Sequence, residues 1–208
     1  MLTALIPAAG KSTRMGRPKL ALPLGGATVL EQVVAACRGA GVQEVLVVVG
    51  PHLPELVPLA QRAGARVLVL AEETPDMRTT VERGLDWIAE HRHPQAGDSW
   101  LLVPADHPTL RAEVIRQLLQ ARADHPHSSI VVPTFQGQRG HPVLIGWEQV
   151  AGIKTLPVGQ GLNVYLRGQA AVTREVPVAF PEVLWDLDTP EDYESLRQRW
   201  GEEGPWQA

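Results

Sequence analysis

Short apolar runs alternate with amphipathic stretches along most of the chain. The runs are rich in leucine and valine, are too short for independent helices and are apolar at nearly every position, which is typical of strands covered on both faces of a sheet. They occupy residues 2–6, 44–49, 65–70, 100–104 and 129–132. We therefore predict that these runs form the buried, parallel strands of one sheet.

The stretches between these runs carry apolar residues at helical spacing, over residues 28–39, 53–63, 77–91 and 112–123. Thr28 and Glu31 have the capping-box pattern at the start of the first stretch, and Gly39 and Gly41 can end it. The alternation predicts an α/β fold with a single-domain, Rossmann-like, mostly parallel sheet and helices on both of its faces.

The alternation changes after Pro133. Residues 135–145 contain Gly137, Gly140 and Pro142, which favours a small β-hairpin or loop insertion over the binding edge rather than another strand–helix unit. Short helices near 147–153 and 161–167, a strand near 171–176 and a helix over 190–200 are predicted to complete the fold. We treat residues 1–200 as one domain and residues 201–208 as a frayed tail.

Composition and charge narrow the range of partners. The formal net charge of the 208 residues is −4, so no broad basic surface for nucleic acid or an acidic membrane is expected, and any phosphate site must be local. Cys37 is the single cysteine, which excludes an intrachain disulfide. The sequence shows neither a basic n-region nor an apolar run of about 18 residues. We expect a cytoplasmic protein, as a monomer or a weak dimer.

A small-residue turn surrounded by cations follows the first predicted strand. Such a turn lets backbone N–H groups approach phosphates closely, and nearby Lys and Arg side chains neutralise them. The Walker spacing fails because Leu5 stands where a glycine is required, and the glycine pattern of dinucleotide-binding folds is absent. The sequence therefore predicts a nucleotide-binding loop of another kind. Its residues are Ala8, Ala9, Gly10, Lys11, Arg14 and Lys19.

Acidic residues point to a magnesium site at the same edge. Asp106 follows the strand predicted over 100–104, so it should lie at the carboxyl end of the sheet, where open α/β sheets bind ligands. Mg²⁺ takes one or two carboxylates together with waters and phosphate oxygens, so a second acidic group is expected nearby. Asp186 and Asp188 are the candidates. Either of them could instead cap the helix that begins at Pro190.

Four segments together resemble the MobA-like nucleotidyltransferases. Residues 5–23 are similar to the nucleotide-binding opening of that family, and the double alanine looks more like its molybdenum cofactor cytidylyltransferase branch than its guanylyltransferase branch. Residues 104–108 resemble the metal-binding turn, residues 140–144 the substrate-side loop and residues 186–192 the closing motif. The resemblance runs in order along nearly the whole chain.

This resemblance implies a nucleotide-diphospho-sugar transferase-like fold and a magnesium-dependent transfer of CMP from CTP to the terminal phosphate of molybdopterin, with release of pyrophosphate. Arg14 would hold the β- and γ-phosphates, Lys19 would face the α-phosphate and Lys11 would act at longer range. Related sugar-phosphate enzymes place a metal-binding Asp two residues before the position of Asp188, which favours Asp186 as the second metal ligand. His141 is expected to contact the acceptor substrate.

Two segments depart from the family pattern. Residues 76–80 replace a Gly-Met-Ser stretch that contacts ribose and base, and residues 159–163 replace an acidic-Gly-Ala-Arg stretch. We still expect Met77, Arg78 and Thr79 at the nucleotide, although Arg78 could be a solvated first-turn arginine. The departures leave two alternatives open. The acceptor could be a sugar or polyol phosphate, or the chain could be a non-catalytic nucleotide-binding maturation factor.

Overall fold

The computed structural model describes residues 1–203, and side chains are described for residues 1–200. Its sheets are built from ten strands, which are β1 Leu2–Ala8, β2 Pro23–Leu24, β3 Ala27–Thr28, β4 Glu44–Val49, β5 Arg66–Val69, β6 Ser99–Leu102, β7 Ile130–Phe135, β8 Gln138–Arg139, β9 Val143–Gly146 and β10 Thr173–Pro177. β2 and β3 form a separate ribbon, and the main sheet has the order β10-β7-β9-β6-β1-β4-β5 with β8 beside β7.

The main sheet is mostly parallel, as the sequence predicts. β1 pairs in parallel with β4 and β6, whereas β9 runs antiparallel between β6 and β7. The predicted hairpin is present, because β7 and β8 pair around Gln136 and Gly137, which both have positive φ. Residues 143–146, however, form a central strand of the sheet rather than part of an insertion. A four-residue apolar run is too short for periodicity to reveal this.

Seven helices cover the two faces of the sheet in the described residues. They are α1 Val29–Gly39, α2 Leu56–Arg62, α3 Met77–Arg92, α4 Ala112–Asp124, α5 Val150–Lys154, α6 Leu162–Gly168 and α7 Pro190–Glu203. Side chains of α1, α2, α4 and α7 share one apolar core, and those of α3, α5 and α6 share the other. α7 continues three residues past the predicted helix end, and residues 204–208 of the predicted tail lie outside the described residues.

The strands are buried because their side chains point alternately into the two apolar cores. Ala4 and Ile6 of β1 point into the α1 side, and Leu5 points into the α3 side. Each fully buried leucine or isoleucine contributes roughly 1.5–3 kcal/mol to stability. The predicted capping box at Thr28 and Glu31 is confirmed and starts α1. No helix in the described part of the chain combines the length and apolar character needed to span a bilayer.

This topology gathers four loops at one edge of the sheet. The chain leaves β1 toward β4 but leaves β6 toward β7, so the connections diverge between the neighbouring strands β1 and β6. Open α/β sheets bind ligands in the crevice that forms where connections diverge, outside the carboxyl ends of the strands. The loops after β1, β4, β5 and β6 all reach this edge.

Candidate active site

An open cavity of about 430 Å³ lies at this edge. Its walls come from the loops after β1, β4, β5 and β6, from the first turn of α3 and from the segment before α7. Nine of the residues that the sequence predicts as functional line the cavity. They are Ala8, Ala9, Gly10, Lys11, Arg14, Lys19, Met77, Asp106 and Asp188.

The loop after β1 is held to the core by two apolar side chains. Met15 and Leu20 are buried, and the backbone N–H of Lys19 donates to the Ser12 hydroxyl at 3.3 Å. Ser12 and Gly16 have positive φ on either side of a short 3₁₀ turn, which reverses the chain. The cations of this loop are therefore presented around a fixed turn.

Lys19 connects the acidic residues at the floor of the cavity. Its ammonium donates to Asp106 Oδ2 at 2.7 Å, to the Leu187 carbonyl at 2.7 Å and to Asp188 Oδ1 at 3.0 Å. An ammonium group has three N–H donors, so this geometry satisfies all of them. Arg14 pairs with the other oxygen of Asp188 at 2.8 Å. Two cations and two carboxylates thus form one network.

Asp186 and Asp188 flank Leu187, which is buried in the core, and Asp186 lies close enough to Asp188 and Asp106 to feel their charges. Partial burial would raise the pKa of Asp188, but hydrogen bonds and charge from Lys19 and Arg14 lower it below its usual value. The pKa of Asp186 is raised by burial and by the charges of Asp188 and Asp106. Asp188 lines the cavity and Asp186 does not, which differs from the preference for Asp186 drawn from the sequence.

His141 lies behind the cavity lining rather than within it. Its ring meets the ring of His107 edge-on, with centroids 5.3 Å apart, and its backbone N–H donates to the Val183 carbonyl at 2.8 Å. Burial, together with the nearby His107, lowers the pKa of His141 to about 4. Burial also lowers the pKa of His107. In this structure His141 therefore supports the turns that carry Asp106 and Asp188.

Two titratable residues that the sequence interpretation missed, His52 and Glu73, also line the cavity. Lys11 pairs with Glu73 at 2.7 Å, and His52 Nδ1 lies 3.4 Å from the other oxygen of Glu73. The hydrogen bond from Lys11 lowers the pKa of Glu73. Both His52 and Glu73 follow the carboxyl ends of strands, β4 and β5 respectively. The rule that open α/β sheets bind ligands at the carboxyl ends of their strands, which placed Asp106 at the site, would also have placed these two residues there.

The first turn of α3 forms another wall of the cavity. Asp76 caps the helix by accepting from the Thr79 N–H at 2.7 Å and the Thr79 hydroxyl at 2.9 Å. The backbone bond from Thr79 is the main reason that the pKa of Asp76 is lowered. Met77 lines the cavity, as predicted, whereas Arg78 and Thr79 do not. Thr74 and Thr80, whose hydroxyls lie 2.6 Å apart, line it instead.

The donor set suits a hard divalent cation. Asp106 and Asp188 offer carboxylate oxygens at the cavity, with Asp186 beside them. Among the described residues, no group of three or more His, Cys, Asp and Glu side chains is arranged to hold a metal by itself. Mg²⁺ commonly uses only one or two carboxylates and takes its other ligands from water and substrate phosphates. These residues fit such a site.

A small-residue loop with cations, an acidic floor and a cavity at the edge of a mostly parallel sheet are typical of one class of protein, the nucleotide-binding transferases. Residues 4–174 match the MobA-like NTP transferase domain, and the chain belongs to this family. It is a nucleotidyltransferase.

Named relatives fall in both branches of the family. Molybdenum cofactor guanylyltransferase of Rhodopseudomonas palustris strain HaA2 is 36% identical over 149 residues, which cover 69% of this chain and 64% of that protein. Molybdenum cofactor cytidylyltransferase of Escherichia coli K12 is 24% identical over 206 residues, which cover 97% of this chain and 98% of that protein. The structure of Rv0371c from Mycobacterium tuberculosis H37Rv in complex with manganese has a TM-score of 0.74 at 24% identity, covering 95% of this chain and 98% of that one. This last likeness shows the shared fold.

Proposed function

We propose that the chain transfers CMP from CTP to the terminal phosphate of molybdopterin and releases pyrophosphate. The observation that carries this proposal is the network in which Lys19 joins Asp106 and Asp188 beneath the loop of Ala8, Ala9 and Gly10. It provides anion-binding and cation-binding groups within one cavity, which is what a triphosphate with a divalent cation needs.

The triphosphate would enter over the loop after β1. Backbone N–H groups of Ala9 and Gly10 can approach phosphate oxygens because these side chains are small. Arg14, which is largely exposed, can turn from Asp188 toward the β- and γ-phosphates. Lys19 lies deeper and would face the α-phosphate, where charge builds up as the new bond forms. The nucleoside would then extend toward the first turn of α3.

Asp106 and Asp188 would hold the divalent cation, and Asp186 lies beside them as a candidate further ligand. When bound, Mg²⁺ would neutralise phosphate charge and fix the orientation of the triphosphate. A solved structure of the same fold contains manganese, which supports a divalent cation in this chain. Charge neutralisation by the carboxylate-bound cation and by Lys19 would act together on the α-phosphate.

The transfer itself is an in-line displacement. An oxygen of the acceptor phosphate forms a bond to the α-phosphorus, the bond from that phosphorus to the bridging oxygen of the β-phosphate breaks, and both electrons leave with pyrophosphate. The acceptor phosphate is already ionised near neutral pH, so the step needs positioning and charge neutralisation rather than a general base. The burial of His107 and His141 behind the cavity agrees with a supporting role for both.

The double alanine of the loop and the nearly full-length likeness to a cytidylyltransferase support CTP as the donor. GTP is the alternative, favoured by the higher identity to a guanylyltransferase over a shorter span. A pocket that is merely of suitable size for a base discriminates by only roughly 10–200-fold. We therefore expect a modest preference for CTP.

Pyrophosphate release with each of the four nucleoside triphosphates, Mg²⁺ and molybdopterin tests the proposal. We expect turnover with CTP at the highest catalytic efficiency. Turnover that is highest with GTP would overturn the CMP assignment, and turnover with a sugar or polyol phosphate but not with molybdopterin would overturn the acceptor. Tight triphosphate binding without pyrophosphate release from any of these acceptors would contradict the proposed reaction.

A further inference from the structure

Arg78 is the second residue of α3, but its side chain points away from the cavity toward the loop between α5 and α6. Its Nη1 group lies 3.1 Å from the Leu156 carbonyl, 2.8 Å from the Pro157 carbonyl and 3.2 Å from the Gln160 carbonyl. The side chain is only 10% exposed, and its Nε forms an ion pair with Glu82 at 3.3 Å. We refer to residues 156–160 as the 156–160 loop.

The 156–160 loop presents an arrangement of carbonyl groups that favours a cation. Three carbonyl oxygens converge on one guanidinium nitrogen, and the positive charge of the guanidinium offsets the negative ends of these carbonyl dipoles. That nitrogen carries two hydrogens, and at least one of them is therefore shared between two carbonyls. A lysine ammonium has donors as well, but it lacks the planar fork that holds a guanidinium in one orientation.

The other end of this contact is the wall of the nucleotide cavity. Asp76, Met77 and Thr80 line the cavity within the same helical turn as Arg78. A side chain fixed at the second position of a helix restrains the backbone of the turn to which it belongs. The contact therefore connects the cavity wall to a loop that is about 80 positions away in sequence.

We propose that Arg78 is a positioning residue, which tethers the 156–160 loop to the first turn of α3 and thereby strengthens binding of the nucleoside part of the triphosphate. This rests on the proposed function only in requiring a nucleoside triphosphate in the cavity. Arg78 does not line the cavity, so its side chain is placed to contact neither the phosphates nor the acceptor. It therefore affects ground-state binding and leaves the chemical step unchanged.

Arg78→Met tests the tether because it keeps much of the side-chain volume and removes the charge and the donors. The probe is α,β-methylene-CTP with Mg²⁺, titrated by calorimetry, and steady-state kinetics are measured with CTP in parallel. We expect the Kd of the analogue and the KM for CTP to rise about tenfold, within the usual range of coupling between two sites of a protein. We expect kcat to stay within about twofold of the wild-type value.

Two further variants separate positioning from general stability. Arg78→Lys keeps the charge and should bind the analogue with an affinity between those of wild type and Arg78→Met. Arg83→Met removes an exposed arginine from the same helix and should leave the Kd and KM unchanged. Amide hydrogen exchange should be faster in Arg78→Met for residues 158–161 and 77–80, and unaltered in Arg83→Met.

Each contrary result has a distinct meaning. Faster exchange with an unchanged Kd would make Arg78 a purely structural brace and overturn the inference. Unaltered exchange would show that the tether does not restrain either segment, and this also overturns it. A loss of kcat at unchanged Kd would place Arg78 in the chemical step instead. If wild type binds neither this analogue nor its counterparts with other bases, the proposed function fails too. Equal binding by wild type and Arg78→Met overturns only the role of Arg78.

Discussion

Lys19 is the residue on which the charges of the site converge, because it contacts Asp106, Asp188 and the backbone before α7. We predict that Lys19→Met lowers kcat roughly a hundred- to a thousandfold, the usual loss when one donor to a charged transition state is removed. KM for the triphosphate should change much less. Arg17→Met, which removes an exposed cation of the same loop, is the control for steady-state kinetics. Equal small effects from both substitutions would contradict the assigned role.

We expect the same residue to limit metal binding by the free protein. Lys19 and Arg14 occupy carboxylate oxygens that a divalent cation would use. We predict that wild type binds Mn²⁺ weakly without nucleotide and that Lys19→Met binds it more tightly, since the substitution removes the ammonium group that Asp106 and Asp188 share. Calorimetric titration of Mn²⁺ into nucleotide-free protein measures this. A lower Mn²⁺ affinity in Lys19→Met than in wild type would refute the competition.

Asp106, Asp188 and their neighbour Asp186 should differ in importance. Asp106→Asn is expected to abolish transfer and leave the thermal stability near that of wild type, because it removes an anionic ligand from a partly exposed site. Asp188→Asn should also cause a large loss, since Asp188 lines the cavity. Asp186→Asn should cause a smaller one. Turnover of each variant at saturating Mg²⁺ decides the order, and a larger loss in Asp186→Asn than in Asp188→Asn would restore the ranking drawn from the sequence.

Sequence patterns located the backbone positions of the site better than the directions of its side chains. Lys19 and Asp106 could be predicted because each follows a strand that ends at the same edge. Arg78 was expected at the nucleotide, but its direction depends on the 156–160 loop, whose position no local pattern reveals. His52 and Glu73 carry no motif, and only the strand ends before them place them at the cavity.

Among the elements, the turn at Gly140 approaches the backbone at Val183 closely. A methyl group at this position would overlap the Val183 carbonyl, and the next residue, His141, donates its backbone N–H to the same oxygen. We predict that Gly140→Ala lowers the melting temperature and kcat together, because it pushes the segment that carries Asp188 away from β6. Gly168→Ala, where a methyl group meets open space at the end of α6, is the control.

Thermal unfolding and steady-state turnover of the two alanine variants check this prediction. Gly168→Ala should be neutral or slightly stabilising, because it restricts only the unfolded chain. Gly140→Ala with wild-type turnover and an unchanged melting temperature would show that the two backbones separate without consequence. A lower melting temperature with unchanged turnover would show that the acidic segment keeps its place.

Element prediction succeeded where local chemistry decides the structure. Thr28 and Glu31 start α1 through their own hydrogen bonds, so the sequence alone defines that boundary. β9 was not distinguished from the preceding hairpin, because its place between β6 and β7 depends on pairing with strands far away in sequence. The two segments that depart from the family pattern also contact each other through Arg78, which only the folded chain reveals.

At the scale of the whole molecule, acid should weaken the fold through its buried histidines. Burial lowers the pKa of His141 from 6.5 to about 4 and also lowers that of His107. The unfolded chain therefore takes up these protons at a higher pH than the folded chain does. Stability is full above about pH 6.5 and falls as the pH decreases from 6.5 toward 4, where the folded protein also binds the proton.

We predict that the free energy of unfolding in urea falls by on the order of 2 kcal/mol more between pH 7 and pH 5 in wild type than in His141→Gln, because the glutamine cannot titrate. His107 remains in the variant, so part of the acid sensitivity should persist. His125→Gln, at an exposed position, should retain the wild-type pH dependence. If His141→Gln loses as much stability as wild type over this range, the imidazole of His141 is not held neutral by the fold, and the destabilisation must arise from His107 or from the carboxylates.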